Sequence, residues 1–212
     1  AGLTVHPGAG QKDNTLINGL IFKYPELNSI ERYGLVHRLD KDTSGLMLIA
    51  RNQKSHTLIT NMIQNRAIHR GYKALVHGVP ISGGTIEKPI GRHPTNRLIF
   101  CVREGGRNSI THFKVLKKFK NFSMLDISLE TGRTHQIRVH MKHKGFPIVG
   151  DKSYCNITQW KDSNDDEMNA VNSLKRQALH AYKLGFNFNE EKFSFKCELP
   201  NDIQNCLDHI QS

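Results

Sequence analysis

The sequence predicts an α+β fold with a largely antiparallel, mixed β-sheet and flanking helices. Short apolar runs, either alternating or continuous and bounded by turn residues, indicate strands. Apolar residues spaced three and four apart indicate helices. About nine strands and four helices result, and they do not follow the regular βαβ alternation that favours a parallel sheet.

Composition limits the classes of partner that the chain could bind. A length of 212 residues favours a single domain over residues 1–212. The chain has 30 Lys and Arg against 19 Asp and Glu, which gives a net charge of +11. This excess favours a polyanionic partner such as nucleic acid. No apolar stretch reaches the roughly 20 residues of a membrane span, and no signal-peptide pattern is present, so we expect a cytoplasmic protein without a membrane partner. A monomer is the simplest expectation.

The most informative stretch is HRLDKDTSG, residues 37–45. Apolar runs at residues 33–36 and 46–50 flank it and predict two short buried strands. A charged turn between rigid strands suits a reactive carboxylate, for which Asp40 is the candidate. Gly45 would supply dihedral angles that other residues resist. From the residues alone, a solvated hairpin turn explains the same pattern.

Elements elsewhere follow from apolar periodicity. Helices are predicted over residues 14–24 and 53–67 and from Pro200 onward, with Asn14 as the N-cap of the first. Strands are predicted at residues 72–79, 98–102, 109–119, 122–130, 176–188 and 193–197.

Two further segments differ in charge. Residues 83–97 predict a short strand and a loop with Arg92, His93 and Arg97, which suits contacts with phosphate or, equally, a solvated surface. Residues 155–175 are acidic and rich in asparagine, and we expect an exposed loop there.

A second dense motif is LETGRTHQIRVHMKHKGFPIVGD, residues 129–151. Thr134 is the expected N-cap of a short helix and Gly145 its end, with Ile137 and Met141 facing inward. The helix region is basic through Arg133, His135, Arg138, His140, Lys142, His143 and Lys144. The histidines lack the i, i+4 pair of a helical metal site and no carboxylate completes a ligand set, so we expect no metal.

Both motifs resemble those of the RluA-type pseudouridine synthases. HRLDKDTSG fits that family's pattern H-R-L-D-x-x-T-S-G, and residues 83–97 and 176–181 are most similar to its RluD branch. The resemblance implies the pseudouridine synthase fold, with an RNA-binding cleft across the sheet. In that branch a strand carrying N-K-P and an S4-type RNA-binding domain precede the matching region, so we expect this chain to lack both.

The resemblance also implies a reaction and a set of site residues. It implies isomerisation of uridine to pseudouridine in 23S ribosomal RNA, with the helix-69 stem-loop as target and no cofactor. Asp40 falls on the family's catalytic aspartate, Tyr72 on its active-site tyrosine, and Arg138 on an arginine expected to pair with Asp40. Arg38 matches an arginine that fills the space left by the flipped uridine, and His37 is expected to support the turn. Further RNA contacts are expected from Arg92, His93, Arg97, Arg133 and His135.

Three alternatives remain open at this point. The same chemistry could act on tRNA or on another ribosomal site. A non-catalytic RNA-binding module would not need Asp40, Tyr72 and Arg138 together. A glycosidase-like hydrolase would need a second acid, for which Asp42 and Asp151 are the nearby candidates.

Overall fold

The computed structural model describes residues 1–8, 11–156, 165–188 and 190–211. Its strands are β1 (Ser44–Gly45), β2 (His69–His77), β3 (Gly84–Glu87), β4 (Ile90–Arg92), β5 (Phe100–Val102), β6 (Ile110–Lys118), β7 (Phe122–Leu129), β8 (Leu179–Phe188) and β9 (Glu191–Lys196). Its helices are α1 (Leu16–Lys23), α2 (Gln53–Gln64), α3 (Gln136–His143), α4 (Asp165–Ser173) and α5 (Asn201–Gln211), with 3₁₀ turns at Pro25–Ser29 and Glu31–Gly34. The predicted fold class is confirmed.

One mixed sheet organises the molecule. Its strand order is β1-β8-β2-β7-β6-β3, and β9 also pairs with β8. Every pairing is antiparallel except that of β1 with β8. Strands β4 and β5 form a separate antiparallel pair. The two central strands β2 and β7 pair with each other without a register shift from Gly71 to His77 of β2, so they form a firm platform for the residues that they carry.

The main core covers both faces of β2. Ala74, Leu75 and Val76 are consecutive on this strand and all have 0% exposure, which requires packing on both sides. Helices α3, α4 and α5 contribute apolar residues to the same core, including Met141 and Ile203. Each fully buried large side chain contributes about 1.5–3 kcal/mol to folding.

The strands predicted beside the central turn are wrong. The chain at Glu31–Gly34 forms a 3₁₀ turn, and Leu35 and Ile49 form only an isolated bridge. Tyr33 and Gly34 have φ angles of 57° and 78°, which break an extended run. A Cβ at Gly34 would lie 2.1 Å from the carbonyl oxygen of Ala50, so this close approach requires glycine.

Both predicted N-caps are also wrong. Thr15, not Asn14, caps α1, because its hydroxyl and the side chain of Asn18 form a reciprocal capping box. His135, not Thr134, is the N-cap of α3, in a left-handed conformation with φ of 55°. The predicted end of α3 at Gly145 is confirmed by its φ of 88°.

The segment expected to be an exposed loop contains helix α4. Residues 157–164 of this segment lie outside the described residues, but Asp165–Ser173 is helical. Ala170, Val171 and Leu174 are buried in the main core. The acidic composition concealed this face, because spacings of three and four position its apolar residues together only once a helix forms.

Candidate active site

The turn around Asp40 is fixed by contacts on both sides. Its carbonyl accepts the N–H of Thr43 at 2.9 Å, and β1 follows directly. Gly45 has a φ of 118°, and a Cβ there would lie 2.2 Å from the carbonyl oxygen of Ala181 on β8. Only glycine therefore allows the turn to approach the sheet this closely.

His37 supports this turn, as the sequence predicted. Its Nε2 accepts the backbone N–H of Leu48 at 2.9 Å. Burial, assisted by the positive charge of Arg70, lowers the pKa of His37 to about 4. The ring is therefore neutral near pH 7, which suits an acceptor for a backbone N–H.

The predicted ion pair between Asp40 and Arg138 is present. Nη1 of Arg138 on α3 lies 3.1 Å from Oδ2 of Asp40. The fork of the guanidinium, however, binds Asp151, with Nε to Oδ2 at 2.7 Å and Nη2 to Oδ1 at 2.9 Å. Side-chain exposure is 17% for Asp40, 8% for Arg138 and 0% for Asp151. The buried Arg138 thus bridges the fully buried carboxylate of Asp151 and the partly exposed carboxylate of Asp40.

The charge of Arg138 is compensated within this cluster. Burial acts to lower its pKa, but hydrogen bonds and charges from Asp151 and then Asp40 outweigh burial and raise the pKa above its ordinary value. The guanidinium also lies over the ring of Tyr154, with 4.8 Å between Cζ and the ring centroid. Arg138 therefore remains charged and is held from several directions.

His135 contacts the same cluster. Its Nδ1 lies 2.8 Å from the hydroxyl of Tyr154, which accepts the N–H of Phe100. Burial lowers the pKa of His135 and raises that of the Tyr154 hydroxyl. Both groups are therefore held uncharged near pH 7, beside the Arg138 guanidinium.

Asp40, Tyr72 and Arg138 line a single cavity of about 510 Å³. Tyr72 lies on β2 and is 6% exposed. Burial raises the pKa of its hydroxyl, with an opposing effect of Arg70 and a further rise from Asp40. The cavity thus contains a carboxylate, an aromatic ring and a protonated phenol, and its volume is in the range of small-ligand sites.

The expected RNA-binding residues separate into two groups. Arg38, Arg133 and His135 line the cavity. The three residues of the 83–97 segment do not belong to its lining, and two of them contact each other: Nη1 of Arg92 donates to the carbonyl of Arg97 at 2.6 Å. The third, His93, accepts the N–H of Asn96 at 3.3 Å within its own loop.

Sequence reasoning undervalued two residues that shape the site. The sequence indicated Asp151 only as a candidate second acid of a hydrolase, whereas in the structure it is the bidentate partner of Arg138. Gln136 begins α3 and is 2% exposed. Its Oε1 accepts the N–H of Arg133 at 2.9 Å, and its Nε2 donates to the carbonyl of Ile110 at 2.9 Å. A glutamine inside a basic motif gives no local signal for these contacts.

Among the residues that the structure describes, no group of three or more His, Cys, Asp or Glu side chains is arranged to hold a metal ion. Over the same residues, no helix is both long and apolar enough to span a bilayer.

Comparison with known proteins defines the class to which this fold and site belong. Residues 1–143 match the sequence model of the family described as RNA pseudouridylate synthase. The chain belongs to this family, as the motif around Asp40 implied.

Two solved structures share the fold. Human RNA Pseudouridylate Synthase Domain Containing 4 has a TM-score of 0.76 at 22% identity, covering 99% of this chain and 87% of that one. For Human RNA Pseudouridylate Synthase Domain Containing 1 the TM-score is 0.68 at 26% identity, covering 93% and 78%.

Curated relatives narrow the similarity further. A protein of Xanthomonas campestris pv. campestris named Ribosomal large subunit pseudouridine synthase D is 44% identical over 100% of this chain. A protein of the same name from Buchnera aphidicola subsp. Acyrthosiphon pisum is 46% identical over 98% of this chain. The predicted similarity to the RluD branch is confirmed. The chain spans 65% of the Xanthomonas relative and 67% of the Buchnera relative.

Proposed function

We propose that this chain isomerises uridine to pseudouridine in large-subunit ribosomal RNA, with the helix-69 stem-loop as target. The observation that carries the proposal is the ion pair of Asp40 and Arg138 beside Tyr72 in one cavity. The names of the relatives and the net charge of +11 support an RNA substrate. The proposed site of action is the cytoplasm, and a monomer is the simplest proposed active form.

The proposed reaction breaks the bond from N1 of uracil to C1′ of ribose and forms a bond from C5 to C1′. The proton on C5 is released and N1 gains a proton, so oxidation state is unchanged. The Asp40 carboxylate could attack C1′, attack the uracil ring or promote formation of a glycal. Each of these three routes requires Asp40 beside the sugar. Arg138 would hold this carboxylate in place and compensate its charge.

Tyr72 is proposed to hold the uracil after the bond breaks. Its ring offers a flat surface for stacking, its hydroxyl is held protonated, and the residue lines the same cavity as Asp40. A uridine within RNA must leave its stack to reach this cavity. We propose that Arg38, which is exposed at the cavity, occupies the vacated space.

The buried position of Asp151 argues against a glycosidase-like hydrolase. Its carboxylate has 0% exposure and accepts hydrogen bonds from Arg138 and from the backbone N–H groups of Ser153 and Tyr154. It is therefore separated from the cavity by the guanidinium and has no free position as a second acid. A binding module alone would not require a buried carboxylate–arginine cluster of this kind.

Release of tritium from RNA labelled at C5 of uridine tests the proposal. Wild type should release tritium from an unmodified 23S transcript, and Asp40→Asn should release none. Asp42→Asn is the matched control, because this aspartate is in the same turn but does not line the cavity. Equal release by wild type and Asp40→Asn would contradict the role of Asp40.

Two further transcripts test the target. A 23S transcript without helix 69 should give no release, and a tRNA transcript should give none. Release from the tRNA alone would support the proposed reaction but identify tRNA, not ribosomal RNA, as the substrate. RNA binding without release from any transcript would favour the non-catalytic module.

A further inference from the structure

Arg70 is a buried cation without a counter-charge among the described residues. It is 7% exposed, and its Nε is buried with no hydrogen-bond partner. The ion pairs of the described residues do not include it. Arg70 lines the same cavity as Asp40, so this side chain borders the proposed substrate site.

The two carboxylates that line this cavity pair with other cations, and no ion pair joins Arg70 to a described carboxylate. Gly132 closes one side, since a Cβ there would lie 2.8 Å from Nη1 of Arg70. Leu184 is its register partner on β8 and is buried. His37 is neutral, and the positive charge of Arg70 contributes to the low pKa of this histidine. These neighbours shape a slot around the guanidinium but provide no anion.

Two other arginines that line the cavity differ from Arg70 because they form ion pairs. Arg66 lines the same cavity but forms an ion pair with Glu130, and Arg138 is paired with two aspartates. Leaving a charge buried and unpaired is costly, so such a group is expected to acquire a partner. A guanidinium fork matches the oxygens of a phosphate in geometry as well as in charge.

We propose that Arg70 binds a backbone phosphate adjacent to the flipped uridine. This inference rests on the proposed activity on RNA. Arg70 and Tyr72 are two positions apart on β2 and share one face, at a separation of about 7 Å. The base and the phosphate of a nucleotide are separated on a similar scale. A uracil carbonyl would leave the charge of Arg70 uncompensated, whereas a phosphate compensates it.

Thermal unfolding in inorganic phosphate tests the site without RNA. At constant ionic strength, replacing chloride by phosphate should raise the Tm of wild type more than that of Arg70→Gln, because only the folded wild type binds the anion there. Lys192→Gln, an exposed cation on β9, should behave as wild type. Arg70→Lys should give an intermediate shift. Equal shifts in wild type and Arg70→Gln would overturn the proposal.

Binding of RNA with one neutral linkage identifies the contact. A methylphosphonate on one side of the target uridine should weaken binding to wild type about tenfold to a hundredfold, and should have no further effect on Arg70→Gln. The variant should also lower the slope of log K against log salt by about 0.7. The inference fails if a methylphosphonate, placed on either side of the uridine, weakens RNA binding by Arg70→Gln as much as it weakens binding by wild type. Tritium release by wild type then still supports the proposed function. Absence of that release would refute the function, while the phosphate-dependent Tm still decides the anion site.

Discussion

Asp151→Asn tests whether a buried carboxylate holds Arg138 in position. Oδ1 of Asp151 accepts hydrogen bonds from Arg138 and from the N–H groups of Ser153 and Tyr154. Among the residues that the structure describes, the one donor to Oδ2 is Nε of Arg138, at 2.7 Å. The oxygen of asparagine should therefore remain at the Oδ1 position. The amide nitrogen then faces the Nε–H of Arg138, so a charge-assisted hydrogen bond is replaced by two opposed donors.

The expected loss follows from burial. Removing one partner of a buried ion pair costs about 3–5 kcal/mol, and the lower end applies here because Asp40 still contacts Arg138. The matched control is Asp202→Asn. Asp202 binds the fork of Arg176 at 2.7 and 2.8 Å, but its side chain is 44% exposed. An exposed pair contributes about 1 kcal/mol or less to stability. Both aspartates bind an arginine fork, so a difference in stability loss between the two variants measures the effect of burial.

Urea unfolding measures both free energies, and circular dichroism confirms that each variant is folded. Tritium release by Asp151→Asn should fall about a hundredfold, because a misplaced Arg138 no longer orients Asp40. Asp202→Asn should retain activity. A loss of stability in Asp151→Asn no greater than in Asp202→Asn would refute the reasoning.

Three further outcomes are expected. Tyr72→Phe retains the ring, so RNA affinity should persist while tritium release falls about a hundredfold or more; unchanged release would exclude a role of the hydroxyl. Burial lowers the pKa of His37 from 6.5 to about 4, so the unfolded chain binds a proton that the folded chain excludes. Urea unfolding should therefore show stability falling from pH 6.5 to about 4, and His37→Gln should flatten this loss; an unchanged slope would contradict it. Gly45→Ala should destabilise by about 2 kcal/mol or more, because its Cβ would overlap the Ala181 carbonyl. Gly19→Ala on the exposed side of α1 should stabilise by about 0.5–1 kcal/mol, and similar effects of both would refute the steric argument.

The regular elements were predictable where local periodicity matched the final packing. Strand β7 alternates along residues 122–130, and the structure has it at Phe122–Leu129. Helix α5 shows apolar residues at helical spacing, and these pack in the core. The stretch at residues 33–36 failed because an apolar run does not specify extended backbone when Gly34 must approach Ala50. Helix α4 failed because acidic composition outweighed a short apolar face.

The candidate site was only partly predictable for a similar reason. Asp40 stands in a motif whose residues are contiguous, so its position in a rigid turn could be inferred. The pairing of Arg138 with Asp40 came from the resemblance, because 98 positions separate them. Arg70 gave no signal, since an arginine on a basic strand is ordinary until its burial is known.

The sequence alone therefore determined the family and the fold class, and it indicated Asp40 as the candidate carboxylate with Arg138 as its partner, because short motifs and periodic patterns carry that information. Tertiary structure alone decided how the arginine is used. It assigned the guanidinium fork to Asp151 and one remaining donor to Asp40, and it left Arg70 buried and outside the ion pairs of the described residues. Burial and donor direction arise from packing between distant segments. They set the strength of each charge interaction, and no local pattern encodes them.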